Sequence, residues 1–117
     1  MMNKEKITRN WLRRYTGTDP DDFGDWILIT NFQNYVDKFA EKFDVYVKGK
    51  SGAMTSATNN EGLSIINYGM GSANAATIMD LISSISPKGV LFFGKCGGLK
   101  QSTELGHFIL PIAAIIA

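Results

Sequence analysis

The residues predict an α/β fold, with a sheet covered by helices on both faces. Two features carry this expectation: short continuous apolar runs bounded by turn residues, and amphipathic stretches at helical spacing between them. WILIT (26–30), LSIINY (63–68) and VLFF (90–93) are the runs, and residues 35–43 and 75–85 hold the helical spacing. Strands apolar along their whole length have no solvent face, so both sides of the sheet need a cover.

Taken in order, residues 1–25 read as a polar N-terminal arm ahead of an α/β unit over 26–117. Lys4, Lys6, Arg9, Arg13 and Arg14 precede an acidic turn cluster of Asp19, Asp21, Asp22 and Asp25 around Pro20. After WILIT, Asn31 stands where a helix N-cap belongs, and Tyr35, Val36, Phe39, Ala40 and Phe43 repeat along one face. Residues 44–48 and 53–58 alternate enough to predict strands, with the turn KGKSG between them. NNEG (59–62) predicts a hairpin into LSIINY. Gly69-Met70-Gly71 breaks that strand, Ser72 can cap, and Ala75, Ala76, Ile78, Met79, Ile82 and Ile85 predict a helix that Pro87 stops. VLFF follows, and HFILPI (107–112) predicts a last strand.

A chain of 117 residues holds one domain with a modest core. Its 44% hydrophobic and 20% charged residues are ordinary for a globular protein. A formal charge of +1 gives no bulk field that recommends nucleic acid or an anionic membrane as partner. Cys96, the single cysteine, forms no internal disulfide, which fits a reducing cytoplasm. MMNKEKITRN has no apolar core of a signal peptide, and FILPIAAIIA is about half of a bilayer span. The expectation is a cytoplasmic chain.

Open α/β sheets bind ligands at the carboxyl ends of their strands. That rule selects Thr30-Asn31, Gly69-Met70-Gly71-Ser72 and Gly94-Lys95-Cys96-Gly97. The middle stretch opens a helix, whose free N–H groups suit an anion, or it is a tight turn that packs helix on sheet. It is no dinucleotide fingerprint, because Asn74 replaces the third glycine, and no P-loop, because no Gly-Lys-Ser/Thr follows. Neither a cofactor nor a metal is expected, since no ligand cluster is spaced for one. Lone Cys96 reads better as a small hydrophobe than as a nucleophile, and His107 as a strand-end surface group. Lys95, flanked by glycines, is either a loop residue or a charge at the mouth of a site.

Longer motifs narrow this. INYGMGSANAATIMDLI, PKGVLFFGKCGGL and GHFILPIAA resemble the nucleoside phosphorylase superfamily. Within it NWLRRYTGT, ILITNFQNYVDKFAEKF and GKCGGLK are most similar to the AMP nucleosidases, and the resemblance runs from about residue 10 to residue 114. It implies a phosphorylase-like mixed sheet flanked by helices and cut short. It also implies hydrolysis of the N-glycosidic bond of AMP to adenine and ribose 5-phosphate, a step of purine salvage. The resemblance matches Lys95 to a loop residue used near the sugar and nucleophile, a catalytic role, and Arg14 to an arginine kept before Tyr-Thr-Gly. With them, the strand exits give Thr30, Asn31, Gly69, Gly71, Ser72, Cys96 and Gly97 as substrate-binding candidates. It further implies a homo-oligomer, commonly a hexamer.

Two departures from the phosphorylase pattern favour water as the attacker. Phosphorylases carry Gly-Asp-Pro after the first strand and an arginine two residues before the Gly-x-x-Gly loop. Here Thr30-Asn31-Phe32 and Phe92 stand at those places. Losing a guanidinium weakens an oxyanion site by several hydrogen bonds. Two alternatives stay open: a purine or uridine nucleoside phosphorylase that takes inorganic phosphate, and a fragment that only binds or assembles. The family's purine-protonating acid and ribose-holding glutamate lie downstream of AAIIA, so the acid is not expected within these residues.

Overall fold

The computed structural model describes residues 3–111. Four strands form one mixed sheet in the order β2-β3-β1-β4. They are β1 (Trp26–Thr30), β2 (Thr55–Thr58), β3 (Leu63–Asn67) and β4 (Gly89–Phe92). β1 runs parallel to both β3 and β4, and β2 pairs antiparallel with β3 through the hairpin expected at NNEG. Asn59 Oδ1 closes that hairpin by accepting from the N–H groups of Glu61 and Leu63 at 2.9 and 3.0 Å.

Helices cover both faces, as the continuous apolar strands require. Helices α1 (Lys4–Thr16) and α3 (Ser72–Ile82) share one face, and α2 (Gln33–Phe43) takes the other. Alternation along the strands divides the core. Ile27, Ile29 and Ile66 join Leu12, Ile78 and Ile82 on the first face, whereas Leu28 and Ile65 turn to Val36, Phe39 and Ala40 on the second. Register locks the two parallel neighbours of β1, so that Thr30 pairs with Asn67 and Ile29 with Phe92. The carboxyl ends of three strands therefore meet at one end of the sheet.

The stretch read as a polar arm contains a packed helix. Asn3 Oδ1 caps α1 by accepting from Lys6 N–H at 2.8 Å, and Gly17 closes it with φ 74°. Its buried stripe is narrow: Thr8, Leu12 and Thr16, one residue per turn. Two of the three are threonines whose hydroxyls donate back to the carbonyls of Lys4 and Leu12 at 2.7 Å, which makes them compatible with burial. Gly17 also lies against the turn at Gly49 so closely that a Cβ there would collide with the Gly49 backbone.

Four local expectations are corrected. Residues 44–48 are no strand: Asp44 closes α2 with φ 54°, and only Lys48 bridges the sheet, exchanging hydrogen bonds with Ser56 at 2.8 and 2.9 Å. Phe32, not Asn31, occupies the cap position of α2, and Gly71 rather than Ser72 that of α3; neither has a side chain that accepts a cap hydrogen bond. Of the strand expected at 107–112, residues 107–111 adopt no strand and Ile112 lies outside the described residues. Among the described residues no helix is long and apolar enough to cross a membrane.

Candidate functional site

The three strand exits selected by the carboxyl-end rule lie side by side, each tied to its neighbour by backbone hydrogen bonds. Tyr68 N–H donates to Thr30 C=O at 3.0 Å, and Phe93 N–H to Ile29 C=O at 2.8 Å. β1 thus stands between the glycine turn after β3 and the Gly-x-x-Gly loop after β4. Thr30 is fully buried, and its hydroxyl oxygen accepts Phe32 N–H at 3.2 Å. It shapes the β1 exit. Asn31 follows with its side-chain oxygen enclosed and without a donor. An enclosed carbonyl oxygen left unpaired costs about 1–3 kcal/mol.

Lys95 lies on the β1 side of the site. Its ammonium stands 4.5 Å from the centre of the Phe32 ring and 5.5 Å from that of Tyr35. Those rings belong to a chain of aromatic contacts: Phe32 to Tyr35 at 5.5 Å, Tyr35 to Phe93 at 5.0 Å and Phe93 to Phe108 at 6.4 Å. The lysine side chain is exposed, so the aromatic faces confine the charge while water still reaches it. Cys96 and Gly97 are exposed beyond it.

Gly69 and Gly71 have φ of 87° and 90°, conformations that favour glycine. They let the chain reverse from β3 into α3, leaving the first-turn N–H groups and exposed Ser72 at the strand ends. Two side chains brace this turn. Asn67 Oδ1 accepts Gly69 N–H at 3.0 Å, and Asn74 Nδ2 donates to Met70 C=O at 2.9 Å. Asn67 in turn donates to Gln33 Oε1 at 2.9 Å, which also accepts from Thr55 Oγ1 at 2.6 Å. Gln33, Asn67 and Asn74 were not among the sequence candidates. An asparagine two residues before a positive-φ glycine is a turn signature, but Gln33 carries no signal that sequence alone displays.

Arg14 stands apart from this group. Tyr15 C=O accepts Met54 N–H at 2.9 Å, and Met54 directly precedes β2, whose Thr55 pairs with Asn67. The last turn of α1 therefore reaches the same end of the sheet, at its β2 edge. Lys95 follows β4, three strand spacings or roughly 14 Å across. The Arg14 guanidinium rests 5.7 Å from the Trp11 ring centre.

A cavity of about 490 Å³ opens elsewhere, lined by Asp44, Lys48, Thr58 and Asn59 among others. It lies toward the opposite end of β3, away from all three exits. Among the described residues no cluster of three or more histidine, cysteine, aspartate or glutamate side chains is placed to hold a metal.

The Phosphorylase superfamily profile matches residues 25–116. The chain belongs to the phosphorylase superfamily. It is 27% identical over 138 aligned residues to the AMP nucleosidase of Escherichia coli, in two strains, covering 87% of this chain and 28% of the relative. The crystal structure of AMP nucleosidase from Bacteroides thetaiotaomicron superimposes with a TM-score of 0.77 at 52% identity, over 83% of this chain and 42% of that one. The chain thus spans well under half the length of these relatives. Within the superfamily, the mixed sheet flanked by helices is a partial phosphorylase-like fold, as the motifs implied.

Proposed function

We propose that this chain supplies the β1, β3 and β4 side of the active site of an N-glycosidic hydrolase that converts AMP to adenine and ribose 5-phosphate. The observation that carries the reading is the 52% identity to an AMP nucleosidase over 83% of the chain. The strand-end chemistry is compatible with it. Lys95 and the first-turn N–H groups of α3 present positive charge and donors to the ribose phosphate. Phe92 stands where phosphorylases carry an arginine, so a phosphate nucleophile finds less to hold it.

In this mechanism water oxygen bonds to C1′ as the C1′–N9 bond breaks, and the electron pair leaves with adenine. Adenine takes a proton from a general acid, and the attacking water, once bonded to C1′, gives one up to solvent. Residues 30–33, 67–72 and 93–97 include no carboxylate, so we assign that acid to a group outside these strand ends. We further assign the protein to the cytoplasm and to purine salvage, acting as a homo-oligomer.

The test is incubation of the whole protein carrying this chain with AMP, with and without inorganic phosphate, while free adenine is measured. Adenine release independent of phosphate is expected, with ribose 5-phosphate as co-product. Release only with phosphate would make the enzyme a phosphorylase. No release would leave a binding or assembly unit.

A further inference from the structure

Gln33 joins three elements through one amide. It is the first residue of α2, where its side chain is free of the helical ladder. Its oxygen accepts from Thr55 Oγ1 of β2 at 2.6 Å and from Asn67 Nδ2 of β3 at 2.9 Å. Its nitrogen donates to Asp37 Oδ1 one turn along α2, at 3.1 Å. Asn67, held in this way, has its own oxygen on Gly69 N–H at 3.0 Å. From the other side Asn74 holds the Met70 carbonyl at 2.9 Å. A trans peptide sets C=O and N–H in opposite directions, so the Gly71 N–H points away from Asn74 and out of the helix turn.

We propose that Gln33 is a positioning residue that sets the Gly69–Gly71 turn for substrate, acting through Asn67. The proposal rests on the reading above that this turn meets the substrate. The position takes two acceptor contacts and one donor, which a neutral amide supplies together. Leucine would supply neither. Glutamate would keep the acceptor oxygen but set a second carboxylate against Asp37. Asp37 is the one ionisable partner bonded to Gln33; Thr55 and Asn67, from β2 and β3, are neutral. Lys95, from the loop after β4, lies on the neighbouring Phe32 and Tyr35 rings.

Two substitutions separate the acceptor contacts from the donor. In Gln33→Glu the carboxylate keeps both acceptor contacts, to Thr55 Oγ1 and Asn67 Nδ2, and loses only the donor to exposed Asp37. Gln33→Leu loses all three. The test is hydrogen–deuterium exchange of residues 68–72 in the whole protein, with kcat and KM for AMP, at pH 8. Each variant is compared with wild type, and β1 peptides serve as internal reference. Gln33→Leu is expected to lower protection of 68–72 at least tenfold, with kcat/KM falling about tenfold through KM. Gln33→Glu should stay within about threefold of wild type in both readouts. Unchanged protection in Gln33→Leu would overturn the proposal. So would losses spread equally over β1, or a loss in Gln33→Glu as large as that in Gln33→Leu. If wild type cleaves no AMP, the proposed activity falls, while the exchange pattern still decides the role of Gln33.

Discussion

Lys95 shows how a single charge is confined without being buried. Its ammonium has two ring faces within 5.5 Å and open water on the other side. An exposed cation–π contact is worth about 0.5–1 kcal/mol, enough to bias the side chain toward the β1 exit and too little to prevent it from reaching a phosphate. Lys95→Ala in the whole protein is therefore expected to slow AMP cleavage at least tenfold, about 1.4 kcal/mol of barrier. Unchanged kinetics in an adenine-release assay would make Lys95 an ordinary loop residue. Arg14 offers the complementary test. Its guanidinium, stacked on Trp11, stands at the β2 edge of the same end of the sheet. A planar fork suits the 5′-phosphate that distinguishes AMP from adenosine. Arg14→Ala should reduce cleavage of AMP at least tenfold more than residual cleavage of adenosine. Equal losses on the two substrates would mean that the arginine supports the fold.

Among the elements, legibility followed the width of the apolar signal. β1, β3 and β4 were readable because uninterrupted apolar runs leave few other structures open, and the α2 and α3 stripes because each carries about two apolar residues per turn in the sequence. α1 was not readable as packed structure, since it buries one residue per turn and two of those are threonines. Residues 44–48 alternate like a strand but fall between a left-handed helix end at Asp44 and a turn at Gly49, leaving room for a single bridge. The strand-end rule picked out from sequence the three loops that meet at one end of the sheet. Gln33 escaped it because its partners, Thr55 and Asn67, are 22 and 34 residues away in the chain. The packing of α1 carries its own prediction. Leu12 is fully buried against Ile27, Ile29 and Ile66. Leu12→Ala should destabilise the protein by about 2–5 kcal/mol, seen as a lower urea midpoint with unchanged slope. A loosely attached arm would give a change within about 0.5 kcal/mol.

At the scale of the whole molecule, the described residues cover the two faces of the sheet and leave its β4 edge open. Among the described residues β4 pairs with β1 alone, and Leu91 and Phe92 on it remain 50% and 54% exposed. The segment that follows forms neither helix nor strand through residue 111, and Leu99, Leu105, Phe108 and Leu110 on it are all largely in water. The radius of gyration, 15.2 Å, exceeds the roughly 13 Å of a compact domain of this length. An unpaired strand edge beside contiguous apolar side chains is a template for association. A single charge of formal excess does little to oppose it. Burying these side chains releases about 25 cal/mol for each Å² of apolar surface, whichever chain provides the cover. The 117-residue chain on its own is therefore expected to self-associate at micromolar concentration. Light scattering should return an oligomer or a growing aggregate, and Leu91→Lys with Phe108→Lys should shift the population toward monomer. A monodisperse wild-type monomer under the same conditions would show that the β4 edge is already satisfied within the chain.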